Sequence, residues 1–208
     1  MIAALFVMPD GPYAGLPGVD VWDKKRDARA YAGPWPVVAH PPCERWGSLW
    51  YGGPMRLKLG LPALVKGDDD GCFGAALAAV RRWGGVLEHP KGSGAWEHFG
   101  LIPPRRAGGW SVADWEGGWT CCVDQGHYGF RSPKPTWLYA KGVDLPSLIW
   151  GRARGLPTWD LGHSSRYERS QRVGRKRIPE SQRAMTPEPF RDLLISMAMS
   201  ANLQNEAA

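Results

Sequence analysis

Two short stretches end apolar runs on side chains that could do chemistry together. In Val37-Val38-Ala39-His40-Pro41-Pro42-Cys43-Glu44, small and branched residues give way to two prolines and then a thiol. In Val86-Leu87-Glu88-His89-Pro90, a second apolar run stops on a carboxyl group ahead of another proline. A thiol is mostly protonated near neutral pH, yet even a small thiolate fraction is strongly nucleophilic. A carboxylate nearby opposes thiolate formation, so Cys43 and Glu88 do not form a simple activating dyad. The pair suits addition to a pyrimidine instead. A thiolate can add to carbon 6 of a cytosine while a protonated carboxyl hydrogen-bonds ring nitrogen 3. Carbon 5 then becomes nucleophilic enough to attack an electrophilic methyl group. The structural alternative is a buried cysteine beside a turn and a glutamate that caps or pairs with an arginine.

Other polar residues could serve such a site. Gln125, Arg131 and Lys134 form a cluster suited to a flipped base or a phosphate. His89 and His127 could orient substrate, although lone histidines are more often structural. The tryptophans could stack on bases or simply pack a loop-rich core.

The net charge of +6 lies in one segment, Arg152 to Arg183, where nine basic residues face three acidic ones. Within it Arg166, Arg169, Arg172, Arg175, Lys176 and Arg177 are the candidates for phosphate contact, which makes DNA the expected partner. No apolar run is long enough to span a membrane, and the start lacks a basic signal-peptide region. The four cysteines include the vicinal pair Cys121-Cys122, a poor disulfide candidate, so free thiols in a reducing cytoplasm are expected. With no C-x-x-C pair and scattered histidines, no metal site is expected.

The elements that must position these groups follow from local pattern. Residues 2–8 read as a first strand, 19–23 as a second, 27–31 as a helical turn and 36–39 as a third strand. Residues 44–70 read as irregular. The spacing of Phe73, Leu77 and Val80 predicts a helix over 73–83, ended by Gly84-Gly85. Strands follow at 86–90, 119–123 and 136–139. Thr186-Pro187 predicts the start of a last helix, with Phe190, Leu193, Leu194 and Met197 as its core stripe. This alternation implies an α/β fold with substantial parallel pairing, in which ligands bind beyond the carboxyl ends of the strands. Cys43 and Glu88 both fall at such ends.

Pro41-Pro42-Cys43 resembles the Pro-Cys nucleophile motif of DNA cytosine-5 methyltransferases. Glu88-His89-Pro90 is similar to their Glu-Asn-Val motif. Gln125 to Arg131, followed by Lys134-Pro135-Thr136, resembles their Gln-x-Arg-x-Arg region and the Lys-Pro-Thr of phage-type members. The resemblance implies a reduced, Rossmann-like methyltransferase-type sheet over 1–150, a basic irregular DNA-contacting segment over 151–185, and a C-terminal helix with a short tail over 186–208. It implies Cys43 as covalent nucleophile and Glu88 as the base-contacting acid. Pro42, His89, Gln125, Arg131 and Lys134 would touch the target base or its backbone. S-adenosylmethionine is the implied cofactor, with Phe6, Asp20 and Asp23 as its contacts. The chain departs from the family where Met8-Pro9-Asp10-Gly11 stands in place of Phe-x-Gly-x-Gly, and where the second arginine of Gln-x-Arg-x-Arg is missing. Two alternatives accompany the implied methyl transfer. One is a non-catalytic DNA-binding protein on a degenerate scaffold, and the other a pyrimidine-modifying enzyme with a different cosubstrate.

Overall fold

The computed structural model describes residues 1–47, 54–156, 178–179, 182 and 185–206. Seven strands form one mixed sheet: β1 (Ile2–Leu5), β2 (Val19–Trp22), β3 (Val37–Ala39), β4 (Gly85–Pro90), β5 (Ser111–Val112), β6 (Trp119–Asp124) and β7 (Pro135–Lys141). Their spatial order is β2-β1-β3-β4-β7-β6-β5. Helix α1 (Pro54–Lys58) and α2 (Cys72–Trp83) connect β3 to β4, α3 (Gly94–His98) follows β4, and α4 (Glu188–Glu206) comes last.

The strands β1 and β3 are continuous apolar runs because both of their faces are covered. Ala3, Leu5, Val37, Ala39 and Leu87 pack toward Phe73, Leu77 and Val80 of α2. Ile2, Ala4, Val38 and Val86 point the other way, onto Phe190, Leu194 and Met197 of α4. Each such side chain contributes about 2 kcal/mol on burial, so α4 is a structural wall of the core. Of its expected stripe, Phe190, Leu194 and Met197 are buried and Leu193 is half-buried. The helix starts at Glu188, after Pro187, one residue later than a Thr186 cap would place it.

Parallel pairing covers only half of the sheet. β2, β1, β3 and β4 run parallel, while β7 is antiparallel to both β4 and β6. Two reversals restore direction, so β6 ends, and β7 begins, at the edge where β3 and β4 end. The first strand stops at Leu5 because Phe6 adopts a φ of 59° and turns the chain, its N–H donating to the Trp22 carbonyl at 2.8 Å. Gly85 is required where β4 meets β3: its φ is 128°, and a Cβ there would lie 2.0 Å from the Val37 carbonyl oxygen.

From β1 the chain moves outward to β2, then returns past β1 to β3. The topological switch point therefore falls between β1 and β3, the position where open α/β sheets bind ligands. No helix among the described residues is long and apolar enough to cross a membrane.

Candidate active site

The register Ala39↔Leu87 in the parallel β3–β4 pair sets His40 beside Glu88 at the carboxyl edge. His40 Nδ1 lies 3.0 Å from Glu88 Oε2, and both side chains are largely buried, at 13% and 12% exposure. On its other side, His40 Nε2 lies 2.8 Å from the hydroxyl of Tyr13, a buried residue of the loop after β1. Gln125 Nε2 donates to Glu88 Oε1 at 3.1 Å and to Thr136 Oγ1 at 2.9 Å. A continuous polar chain thus runs Tyr13–His40–Glu88–Gln125–Thr136 across four strand ends.

Burial alone would raise the Glu88 pKa. The hydrogen bond and charge of His40, with Lys134 and His89, outweigh it and hold the carboxyl down to about 2. Glu88 is therefore a carboxylate in the free protein. Cys43 is open to solvent as a residue. Crowding by protein around the thiol nevertheless raises its pKa, as do Glu88 and Glu44, while Lys134 pulls it down. Desolvation lowers the Lys134 pKa against the pull of Glu88 and Cys43. Lys134 is thus the cation shared by the thiol and the carboxylate. Its Nζ donates to the Met185 carbonyl at 3.0 Å and lies 4.8 Å from the Phe130 ring centre.

Asp124 holds Gln125 and Lys134 in place. Its Oδ1 accepts from the main-chain N–H of Gly126 at 2.9 Å and of Lys134 at 2.7 Å, and its Oδ2 from that of Ala153 at 3.1 Å. Gly126 permits this closure, since a Cβ there would lie 2.7 Å from both Ala153 Cβ and Leu156 Cδ1.

Cys43, Glu88, Gln125 and Lys134 therefore gather at one edge, with Pro42 exposed beside them. His89 does not face this space. It is buried on the α2 side, its Nδ1 2.7 Å from Ser93 Oγ and its ring edge-on to Phe73 at 5.2 Å. Desolvation pushes its pKa down to about 4, against the pull of Glu88 and the Pro42 main chain. It supports the Cys43 loop from beneath and cannot touch a base. Arg131 is exposed on the loop before β7, and His127 Nε2 lies 3.2 Å from the Gly151 carbonyl. Arg166, Arg169, Arg172, Arg175, Lys176 and Arg177 lie outside the described residues.

The proposed cofactor contacts form a separate group. Asp20 lies within β2 and commits both oxygens, Oδ1 to Arg26 Nη1 at 2.6 Å and Oδ2 to Trp22 Nε1 at 2.8 Å. Asp23, just past β2, accepts from Arg26 N at 2.8 Å through Oδ1. Phe6 is half-buried at the end of β1, at the switch point. Asp23 and Phe6 thus stand just past the ends of β2 and β1, while Asp20 lies inside β2 with both oxygens hydrogen-bonded. Among the described residues no group of His, Cys, Asp and Glu is arranged to hold a metal ion.

No known family model, curated protein or solved structure matches the chain.

His40, Tyr13 and Asp124 were not among the sequence candidates. His40 carried a usable signal, because it stands just before the double proline as Glu88 stands before His89-Pro90. Tyr13 carried none.

Proposed function

We propose that this chain is a DNA-modifying enzyme that methylates carbon 5 of cytosine through a covalent adduct on Cys43. The observation that carries the reading is the convergence of an accessible thiol, a buried carboxylate and a shared lysine at the edge next to the switch point.

The Cys43 thiolate, stabilised by Lys134, adds to carbon 6, and the displaced electron pair is taken up at ring nitrogen 3 as that atom gains a proton on the Glu88 side. Carbon 5 then carries the nucleophilic electron pair. S-adenosylmethionine, when bound, supplies the electrophilic methyl group, and Phe6 and Asp23 are the residues that would hold it. Loss of the carbon 5 proton to solvent, cleavage of the sulfur–carbon 6 bond and return of the nitrogen 3 proton to the Glu88 side give back the thiolate and an aromatic base. Attack at carbon 6 needs a base outside the stack, so a flipped or single-stranded nucleotide is the substrate. The basic segment between Arg152 and Arg183 supports DNA as partner through its charge.

The test is mass spectrometry of the protein incubated with S-adenosylmethionine and an oligonucleotide carrying 5-fluorocytosine, which cannot release the enzyme after methyl transfer. A stable adduct mapped to Cys43, and absent in Cys43→Ser, is expected. An unmodified Cys43 under conditions where the DNA is bound would defeat the mechanism. The full commitment of Asp20 favours one second reading, a DNA-binding protein without the cofactor. Calorimetry separates the two, since that protein would bind DNA but give no heat with S-adenosylmethionine.

A further inference from the structure

We propose that His40 supplies the proton with which Glu88 engages ring nitrogen 3 of the target base, and that Tyr13 holds the His40 imidazole for that transfer. This inference rests on the cytosine reading above and deepens it.

The need for such a donor comes from the geometry of Glu88. In neutral cytosine, nitrogen 3 is a hydrogen-bond acceptor, and a carboxylate is acceptor-only. Two acceptors facing each other repel, so Glu88 must obtain a proton before or during thiolate attack. Gln125 cannot give one: its amide donates hydrogen bonds to Glu88 and Thr136 but does not ionise. His40 can. Its Nδ1 is already in hydrogen-bond contact with Oε2 at 3.0 Å, so the proton needs no change of position beyond the length of that bond.

Among the described residues, the other charged groups that act on the pair can be named. Lys134, just before β7, and His89, next to Glu88 in β4, act on its charge, and Cys43 lies in the loop after β3. Lys134 Nζ is turned to the Met185 carbonyl, and His89 is bonded to Ser93 on the opposite face of the sheet. Tyr13 lies beyond His40, with Arg191 and Asp192 of α4 near it. The Tyr13 loop is itself fixed by Arg191, whose Nη1 donates to the Pro12 carbonyl at 2.8 Å.

The proton balance closes. Doubly protonated His40 passes its Nδ1 proton to Glu88 Oε2 as Glu88 protonates nitrogen 3 and the Cys43 sulfur bonds to carbon 6. The products are the enamine adduct, a Glu88 carboxylate and a neutral imidazole. When the adduct collapses, nitrogen 3 returns its proton along the same path. His40 touches no substrate and acts only through Glu88, which distinguishes it from Cys43.

Two variants separate proton supply from simple positioning. His40→Asn keeps an N–H on Glu88 but holds no transferable proton, whereas His40→Ala removes both. If His40 supplies the proton, both variants lose about 10²-fold or more in the rate of 5-fluorocytosine adduct formation at neutral pH. The fall of that rate with rising pH, where the donor is lost, also flattens in both. A His40→Asn variant with the wild-type rate and pH profile would overturn the proposal. A second measurement does not depend on activity: the Glu88 side-chain carbon observed by NMR across pH. Its midpoint rises by a unit or more in His40→Ala, and by less in Tyr13→Phe. An unchanged midpoint in His40→Ala would overturn the coupling. Failure of the cytosine reading gives a different pattern, with no adduct in the wild type but the Glu88 midpoint still moving with His40.

Discussion

Asp124→Ala tests how the site is held together. Asp124 is 2% exposed and satisfies three main-chain N–H groups from three segments: the turn after β6, the start of β7 and the chain at Ala153. Removing the carboxylate leaves all three donors without a partner. A buried donor left unsatisfied costs roughly 1–3 kcal/mol. Water can enter part of the space vacated, so the low end applies and the expected loss is about 3 kcal/mol. That is a large fraction of the roughly 5–15 kcal/mol that holds a domain folded. Asp124→Asn is the graded control. Its retained oxygen can still serve Gly126 and Lys134, while its amide faces the Ala153 N–H, donor to donor. The expected cost is about 1–2 kcal/mol. Urea unfolding followed through the 12 tryptophans measures both. For a chain of this size the alanine variant should also melt roughly 6–12 °C lower. An alanine variant within about 1 kcal/mol of wild type, or an asparagine variant as costly as alanine, would refute the three-point anchor.

Acid should destabilise the protein in two steps. His89, held neutral down to about 4 against an ordinary 6.5, gives stability that is complete above pH 6.5 and lost as pH falls toward 4, by about 3 kcal/mol. Glu88, held down to about 2 against 4.5, gives stability that is present above pH 4.5 and lost between there and pH 2. His89→Gln should remove the first step and leave the second, as read by thermal melts across pH. Lys134→Met removes the cation that draws the Cys43 thiol toward its thiolate, so iodoacetamide labelling of Cys43 at pH 7.5 should slow about three-fold or more, measured by peptide mass spectrometry. Equal labelling rates would show that Lys134 does not act on the thiol. Gly85→Ala forces a Cβ against the Val37 carbonyl at a positive φ and should cost about 3 kcal/mol or more in urea unfolding.

The parts of the fold legible in the sequence were those whose pattern has a local cause. β1 and β3 read as strands because they are apolar on both faces, and α2 because Phe73, Leu77 and Val80 recur at helical spacing. The reversal of β7 was not legible, since nothing in Thr136 to Tyr139 says which neighbour it pairs with or in which direction. The two-residue β5 and five-residue α3 are too short for any period to show. At the site, Cys43 and Glu88 could be brought to one edge by the strand-end rule alone. Tyr13 could not, because its contact with His40, 27 residues on, exists only once β1 and β3 lie side by side. The partners of Asp20 were not legible for a related reason: an acid in a strand looks available until the chain places Arg26 and Trp22 over it.

The double proline acquires a physical role from the register. The His40 N–H makes the last β1–β3 contact, donating to the Leu5 carbonyl at 3.0 Å. Pro41 and Pro42 carry no N–H, so neither can donate to extend that ladder. Strand β3 must end there, with His40 as the last residue aligned with β4 and Cys43 carried clear of the sheet. Side chains alternate faces along a strand, so a one-residue slip of β3 against β4 would turn His40 to the α2 side and break its contact with Glu88. The prolines therefore fix two things at once: the thiol leaves the edge exposed, and the histidine remains beside the carboxylate. A nucleophile alone would need only the first. The second makes sense if Glu88 needs His40 as a working partner.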